Sequence, residues 1–208
     1  MRGNILNLFD RPTVYEAFHL MVSGVKIRHL KQHLSTLESS RPLRVLDMGC
    51  GPGTNAALFI DRRRFEYLGI DTNPTYIEHA EKRYALAFKC ADATRLDSSL
   101  EKFDVVLINS VMHHITPELS KKFLRAARDA LRANGVCLIL DMVEPVDRKL
   151  NNFIQRTLIR LDRGQYCRTF NDLKNEIENI FKIKDLQSFS IRFFGLMLWD
   201  LRLFVARI

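Results

Sequence analysis

A glycine-rich turn with one carboxylate before its first glycine is the stretch of this chain most suited to chemistry. Residues 47–53 read Asp-Met-Gly-Cys-Gly-Pro-Gly and begin within the last two residues of the predicted strand Leu43 to Met48. Glycines let a backbone approach a ligand without a Cβ clash, and a helix start supplies free N–H groups. A strand, this turn and a predicted helix at Thr54 to Asp61 therefore indicate a nucleotide-like ligand at a sheet edge. A tight turn with no ligand is the alternative interpretation.

The spacing of the glycines argues against two common ligand classes. Glycine occupies alternate positions: Gly49, Gly51 and Gly53. The third comes one residue too early for the G-x-G-x-x-G fingerprint of dinucleotide folds, and the lysine of a phosphate-binding loop is missing. Asp71 ends the second predicted strand, where a carboxylate can accept both hydroxyls of a ribose. Asp92 follows the third strand, and Asn109-Ser110 ends the fourth.

The elements that must position these residues alternate between strand-like and helix-like patterns. Such alternation predicts an α/β fold, with a parallel sheet between helices. The predicted strands of the core are Leu43–Met48, Phe65–Ile70, Leu86–Cys90, Phe103–Asn109 and Val136–Val143. Helices are predicted from Pro74 to about Tyr84 and from about Pro117 to Asn134-Gly135.

Two further regions flank this core. Apolar spacing between Val14 and Leu37 predicts one or two helices, with a break near Gly24. After the core, helices are expected at Arg148–Asp162 and Phe170–Ile180, followed by strands at Ile183–Phe193 and Leu196–Ala206 joined at Phe194-Gly195. We expect one domain over 1–208: a helical cover at 1–40, a core at 41–145, and a helical insertion with a β-hairpin at 146–208.

The core sequence resembles class I S-adenosylmethionine-dependent methyltransferases, in particular the small-molecule group that includes ubiquinone/menaquinone methyltransferases. The resemblance runs from about Leu43 to Pro145. Its motifs are VLDMGCGPGTNAALF, YLGIDTNPTYIEHA, KCADATRLD, FDVVLINSVMHHI and LRANGVCLILDMVEP. It implies a Rossmann-like fold with a mostly parallel seven-stranded sheet, helices on both faces and a C-terminal antiparallel strand. It also implies methyl transfer from S-adenosylmethionine, with S-adenosylhomocysteine as the product.

The resemblance assigns roles to the residues of the core. Asp47 and the turn from Gly49 through Cys50 and Gly51 to Gly53 would hold the methionine part of the cofactor. Asp71 would bind the ribose, with Thr72 and Asn73 nearby. Further expected contacts are Asp92 with the adenine amino group, Ala93 beside the ring, and Asn109 and Ser110 near the sulfonium.

Methyl transfer from a sulfonium is an in-line displacement that mainly requires alignment, although a hydroxyl or amine acceptor also benefits from a base. His113 and His114 follow the fourth strand and are candidate bases; structural packing is the alternative. Glu144, at the end of the fifth strand, is a third candidate, or a solvated turn residue. No metal site is expected, although Asp141 and Glu144 leave a metal-dependent catechol-type reaction open.

Candidate substrate contacts lie outside the core. Residues 161–168 could form a lid in which Arg163 or Arg168 grips an anionic group beside Tyr166, or they could be a surface segment. Tyr15 and His19 would face the substrate if the N-terminal helix covers it, or they pack on the sheet.

Composition narrows the setting without deciding the function. Scattered cysteines and the lack of a signal peptide or long apolar stretch favour a reducing, cytoplasmic setting. The formal charge of +8 fits a solvated surface or an anionic partner. An RNA-modifying enzyme is one alternative, although Asn109-Ser110-Val111-Met112 is not the motif of base-amino methyltransferases. A cofactor-binding protein without its own catalysis is another. The acceptor and the oligomeric state are not predicted.

Overall fold

The structure, a computed structural model, describes residues 12–96, 101–145, 155–157, 159, 165–193 and 196–208. The side chains of 12–23, 193 and 196 lie outside the description. The chain divides into two compact units, Met1–Arg95 and Leu96–Ile208. The described strands number three in the first unit, all parallel, and four in the second, where the last strand runs antiparallel to its neighbours. This confirms the predicted fold class; the boundaries of the single predicted domain stay a prediction.

The first unit contains three parallel strands in the order β3-β2-β1. They are β1 (Leu43–Met48), β2 (Phe65–Asp71) and β3 (Ala87–Cys90). Met48 pairs with Ile70, and Asp71 pairs with Cys90. The three strands therefore end at one edge, where the predicted cofactor residues follow them.

Two helices accompany these strands in the described part of the first unit. Helix α1 (Pro12–Ser35) is continuous across Gly24, and no break occurs there. Helix α2 (Pro74–Arg83) begins with a proline at its first position, and the Asn73 side chain accepts from the N–H groups of Thr75 and Tyr76. This cap satisfies donors that a helix start would leave unpaired.

The segment after the glycine turn differs from the prediction. The expected helix at Thr54 to Asp61 is only a 3-10 turn at Ala56–Phe59. Ala56 and Phe59 are fully buried, and the Phe59 ring packs edge-on to Phe65 and against Tyr67. The prediction failed because the apolar spacing of such a short run fits either helix type.

The second unit contains four strands in the order β4-β5-β7-β6. They are β4 (Phe103–Asn109), β5 (Leu131–Met142), β6 (Lys182–Phe193) and β7 (Leu196–Arg207). Strands β4 and β5 are parallel, and their apolar side chains are buried almost throughout. Burial on both faces is the property of a central strand, as the apolar run of β4 predicted.

Two helices of the second unit begin at threonine caps. Helix α3 (Pro117–Ala130) follows Thr116, whose hydroxyl accepts from the Leu119 N–H. Helix α4 (Phe170–Glu178) follows Thr169, whose hydroxyl accepts from the Asp172 N–H. Residues 155–157 and 159 are also helical. The rest of the predicted helix Arg148–Asp162 lies outside the described residues.

The end of α3 and the start of β5 correct a predicted boundary. The helix ends at Ala130 rather than at Asn134-Gly135, because Leu131 already pairs with Phe103. The ladder then shifts register and resumes at Val105 and Val136. A Cβ on Gly135 would lie 3.0 Å from the Arg132 carbonyl oxygen, so this irregularity needs glycine.

The C-terminal hairpin matches the prediction closely. Strands β6 and β7 pair antiparallel along their length, from Lys182 with Arg207 to Phe193 with Leu196. The predicted junction at Phe194-Gly195 lies outside the described residues. Among the residues described, no helix combines the length and apolarity that crossing a membrane requires.

Gly69 tests the packing of the first unit. A Cβ there would lie 2.8 Å from the Phe88 ring, 2.8 Å from the Tyr67 hydroxyl and 2.9 Å from Cys50 Sγ. We expect Gly69→Ala to lower the free energy of unfolding by about 1–3 kcal/mol through overpacking. Gly24→Ala is the control, since nothing lies within 4 Å of its Cβ. It should raise stability by roughly 0.5–1 kcal/mol. Equal urea midpoints for both variants would contradict this packing.

Candidate active site

The turn after β1 has a backbone that glycine alone adopts readily. Gly49, Gly51 and Gly53 have φ angles of 76°, 55° and 82°, in the left-handed region that side chains disfavour. A Cβ on Gly53 would also lie 3.2 Å from Ala80 and the Tyr84 ring. The alternating glycines of the sequence are therefore a conformational requirement of this turn.

Hydrogen bonds from the end of β2 fix the turn in place. The amides of Gly49 and Cys50 both donate to the Ile70 carbonyl, at 2.8 and 3.0 Å. The Gly51 amide donates to Asp71 Oδ2 at 2.9 Å. Asp71 Oδ1 accepts a hydrogen bond from the backbone amide of Asn73 at 2.9 Å. One carboxylate therefore holds both the glycine turn and the approach to α2.

Asp71 keeps capacity for further hydrogen bonds. A carboxylate offers about four lone-pair sites, and the two amides occupy one on each oxygen. The remaining site on each oxygen matches the two hydroxyls of a ribose. Of its predicted companions, Thr72 is exposed, and the Asn73 side chain caps α2. Asn73 therefore has a structural task at this edge.

Asp47 lies beneath the turn in a fully buried polar cluster. Tyr67 Oη donates to Asp47 Oδ2 at 2.9 Å, and Asn55 Nδ2 lies 3.2 Å from the same oxygen. Burial raises the pKa of Asp47 to about 7, although both hydrogen bonds act to lower it. Burial also raises the pKa of the neighbouring Cys50 thiol, so that the thiol keeps its proton at neutral pH.

The region after β3 places Asp92 and Ala93 at the same edge. Asp92 Oδ1 accepts from the Thr94 amide at 2.9 Å and the Thr94 hydroxyl at 2.7 Å. The Asp92 side chain is about half exposed, and Ala93 is buried. Within the first unit, the structure thus brings together the carboxylates and glycines that the sequence singled out.

In the second unit, Asn109 and Ser110 end β4 in a strained conformation. Ser110 has a φ of 60°, which is uncommon for a residue with a side chain. Its amide donates to the Leu140 carbonyl at 2.8 Å, and its hydroxyl donates to Asn109 Oδ1 at 3.1 Å. Strain held by such bonds is frequent at functional positions.

The next turn brings His113 against a carboxylate that sequence reasoning did not assign to it. His113 Nδ1 lies 2.5 Å from Asp141 Oδ1, and both side chains are about 1% exposed. The same carboxylate accepts from the Met112 amide at 2.6 Å and the Met142 amide at 2.7 Å. Burial alone would raise the pKa of Asp141, but His113, the Met142 amide and the nearby His114 lower it below its usual value.

The other two candidate bases have different surroundings. The His114 ring is partly exposed, with its centroid 3.9 Å from that of His113. Glu144 is nearly half exposed and lies 3.6 Å from the Arg156 guanidinium. The contact between His113 Nδ1 and the buried Asp141 carboxylate is therefore the geometry that favours His113.

Arg168 is a buried connector rather than a surface residue. Its Nη1 donates to the carbonyls of Met112 at 2.5 Å and Tyr166 at 2.9 Å. Its Nη2 donates to the Ile115 carbonyl at 3.2 Å, and its Nε donates to Glu176 Oε1 at 2.7 Å. The surface interpretation of Arg168 is therefore wrong, and its donors hold the chain around His113.

Of the remaining residues predicted to contact the substrate, the structure describes the side chain of Tyr166. Tyr166 is 38% exposed, and its amide donates to the His113 carbonyl at 3.1 Å. Arg163 lies outside the described residues, as do the side chains of Tyr15 and His19. Their substrate roles stay predictions.

Several polar residues of these clusters escaped the sequence analysis. Tyr67, Asn55 and Glu176 occur in ordinary segments, and nothing in their spacing marks them. Asp141 carried a signal, because it is the one acidic residue in the apolar run VCLILDMV. A carboxylate in a buried strand needs partners, and its partner is the His113 turn. Among the described residues, no group of His, Cys, Asp and Glu is arranged to hold a metal ion.

Comparison with known proteins agrees with this arrangement. Residues 45–135 match a family model described as a methyltransferase domain. A trans-aconitate 2-methyltransferase from Methylobacterium nodulans is 28% identical over 142 residues, which cover 67% of this chain and 54% of the relative. A ubiquinone biosynthesis O-methyltransferase from Azorhizobium caulinodans is 29% identical, covering 57% of this chain and 47% of the relative.

A solved structure shows the same fold at low identity. The magnesium protoporphyrin IX methyltransferase from Synechocystis, determined with bound S-adenosylmethionine, superposes with a TM-score of 0.65 and 16% identity. The match covers 88% of this chain and 78% of that one. The chain is therefore similar to methyltransferase domains over residues 45–135, and its fold is that of a solved S-adenosylmethionine-dependent methyltransferase. It spans about half the length of the curated relatives that it matches.

The raised pKa of Asp47 predicts how stability depends on pH. The unfolded carboxyl ionises near pH 4, whereas the folded one keeps its proton up to about pH 7. Between these values the unfolded state releases the proton first, so Asp47 lowers stability as the pH rises. Above pH 7 the effect is complete.

Asp47→Asn should remove this pH dependence. We expect wild type to lose a few kcal/mol of unfolding free energy relative to Asp47→Asn between pH 4 and pH 8. Urea titrations of both proteins at several pH values measure the difference, in which all other titrating groups cancel. A difference that stays constant across that range would show that Asp47 is ionised throughout.

Proposed function

We propose that this protein transfers a methyl group from S-adenosylmethionine to a small-molecule acceptor. The glycine turn carries the proposal, because it combines a left-handed backbone with two carboxylates at the ends of parallel strands. A turn that only reversed the chain would not need Asp71 Oδ2 to fix the Gly51 amide.

The residues of the first unit fit this cofactor. The side-chain-free positions at Gly49, Gly51 and Gly53 allow close approach to its methionine part, beside the acidic Asp47. Asp71 retains one acceptor site on each oxygen for the ribose hydroxyls. Asp92, half exposed beside the buried Ala93, is the residue that we propose for the adenine amino group. When bound, S-adenosylmethionine supplies the activated methyl group on its sulfonium.

On the acceptor side, we propose His113 as the base. A base needs an orienting partner, and Asp141 holds Nδ1 of the ring at 2.5 Å. A proton on Nδ1 leaves Nε2 as the proton acceptor of the ring. Because Nε2 is buried in the structure, an acceptor hydroxyl or amine reaches it only when the residues that cover the ring move aside. His114 and Glu144 remain candidates. Asn109 and Ser110 stay proposed as neighbours of the sulfonium.

The names of the relatives favour an acceptor that is a small molecule. One is named for trans-aconitate and the other for O-methylation in ubiquinone biosynthesis. An oxygen nucleophile on a small acid or phenol is therefore the acceptor that we propose. The charge of +8 suits an anionic acceptor and keeps RNA as the second candidate.

Cofactor binding can be measured without knowing the acceptor. S-adenosylhomocysteine should raise the melting temperature, because a ligand that binds only the folded state stabilises it. Asp71→Asn should weaken calorimetric binding by about a hundredfold, since an amide lacks half of the acceptor sites and disturbs the Gly51 contact.

Glu66→Gln is the matched control for that change. Glu66 lies on the same strand, mostly exposed, and pairs only with Arg44 in a surface ion pair at 3.2 Å. The affinity of Glu66→Gln for S-adenosylhomocysteine should equal that of wild type. Unchanged binding in Asp71→Asn, or no thermal shift at saturating ligand, would contradict the cofactor assignment.

The acceptor class is tested by incubating the protein with methyl-labelled S-adenosylmethionine and a panel of acceptors. The panel comprises trans-aconitate, a catechol, an aliphatic amine and total RNA. We expect label in an acid or phenol, at a rate abolished by Asp71→Asn. Label only in RNA would support the second candidate. Tight cofactor binding without any labelled product, in the panel or in cell extract, would indicate a binding protein without catalysis.

A further inference from the structure

The turn Met112–Ile115, which carries both histidines, is held by two buried groups of opposite charge. The Asp141 carboxylate accepts hydrogen bonds from the turn: from the Met112 amide at 2.6 Å and from His113 Nδ1 at 2.5 Å. The Arg168 guanidinium donates hydrogen bonds to two carbonyls of the turn, those of Met112 at 2.5 Å and Ile115 at 3.2 Å. Donors and acceptors of a single short turn are thus satisfied by one anion and one cation.

The cation is itself fixed by a second layer of contacts. Arg168 Nε donates to Glu176 Oε1 at 2.7 Å, and the buried Ser120 hydroxyl donates to Glu176 Oε2 at 2.6 Å. Glu176 lies on α4 and Ser120 on α3, so both helices contribute to holding the guanidinium. A planar guanidinium with several fixed acceptors has little freedom to rotate.

The chain on either side of Arg168 reinforces the same turn. The Arg168 carbonyl accepts from the Glu144 amide at 2.7 Å, and Val143 and Arg168 form a β-bridge. The Tyr166 amide donates to the His113 carbonyl at 3.1 Å. Residues 166–168 therefore bind both the histidine turn and the end of β5, which carries Asp141.

We propose that Asp141 and Arg168 are positioning residues for methyl transfer, acting through the His113 ring. Asp141 sets the tautomer, with the proton on Nδ1 and Nε2 as the acceptor. Arg168 sets the place of the ring by fixing the backbone of its turn. The expected effect of these residues on the rate rests on the proposed function. Their expected effect on the tautomer and position of the His113 ring does not.

The expected changes in the His113 tautomer and in the rate of methyl transfer differ from what a merely structural role would produce. The groups that face the turn are Asp141 on β5, His114 on the turn itself, and the Arg168–Glu176 pair. Asp141→Asn preserves the size of the side chain but leaves one oxygen for three donors, the ring and the amides of Met112 and Met142. An –NH2 group that faces Nδ1 favours the opposite tautomer. A structural loss would lower the melting temperature and leave the tautomer and the rate below that temperature unchanged.

The first measurement is a long-range proton–nitrogen NMR spectrum of protein labelled at its six histidines. His113→Gln assigns the His113 signals. We expect an Nδ1–H tautomer in wild type and an Nε2–H tautomer in Asp141→Asn. The matched control is Asp104→Asn, which breaks the Arg132 ion pair at the far end of β4. It should leave the wild-type spectrum unchanged.

The second measurement is the steady-state rate with labelled S-adenosylmethionine, using trans-aconitate first and then the rest of the panel. Asp141→Asn should lower kcat by roughly a hundredfold or more, the range of acid–base contributions. The KM for S-adenosylmethionine should stay within about twofold of wild type, and Asp104→Asn should have wild-type kinetics. Arg168→Lys should keep the Nδ1–H tautomer and lower kcat by about tenfold, since lysine cannot bind both carbonyls in a fixed plane.

The outcomes separate this inference from the proposed function. An Nε2–H tautomer in wild type, the same tautomer in wild type and Asp141→Asn, or kcat in either variant equal to that of Asp104→Asn would overturn it. If Asp141→Asn does not fold, the wild-type tautomer and Arg168→Lys decide the question. If wild type methylates nothing, the proposed function fails, and the tautomer comparison alone supports or overturns the positioning of His113.

Discussion

The hydrogen bond from the Gly51 amide to Asp71 Oδ2 links the sheet of the first unit to its glycine turn. The turn has three residues in the left-handed region, and such a backbone does not hold its shape without partners. Asp71 and the Ile70 carbonyl supply them, because parallel pairing brings the ends of β1 and β2 to one edge. The cofactor site that we propose depends on this register.

The two units use buried carboxylates in different ways. Asp47 has only neutral donors, the Tyr67 hydroxyl and the Asn55 amide, and burial raises its pKa to about 7. Asp141 has an imidazole and two backbone amides, and its pKa lies below its usual value. The difference follows from the partners, since both carboxylates are fully buried. A cationic group placed beside Asp47 would lower its pKa and favour ionisation. The ionised Asp141 instead orients the His113 ring.

Much of the fold was predictable because its signals are local. The apolar run of β4 matched its observed bounds, and the strand pattern of the C-terminal hairpin matched within a residue or two. Boundaries failed where long-range contacts decided them. Leu131 leaves the helix because it pairs with Phe103, and Ala56–Phe59 is a 3-10 turn packed on aromatic rings of β2. Neither contact is visible in the sequence.

The candidate site was predictable to the same extent. The glycines, Asp71 and Asp92 stand at strand ends, which sequence patterns locate well. The partners of His113 come from positions about 28 and 55 residues further along the chain, and only the fold brings Asp141 and Arg168 to its turn. Arg168 illustrates the limit, because an arginine in a polar segment gave no sign that four separate groups accept its N–H donors.

The central claim is that the glycine turn of the first unit holds the cofactor, and an amide NMR titration with S-adenosylhomocysteine tests it most directly. We predict saturable shifts at the amides of Gly49, Gly51 and Gly53 and at Asp71. The amides of Phe189 and Arg202 in the hairpin should stay in place and serve as the internal reference. Saturable binding that leaves the three glycine amides unchanged would contradict the account.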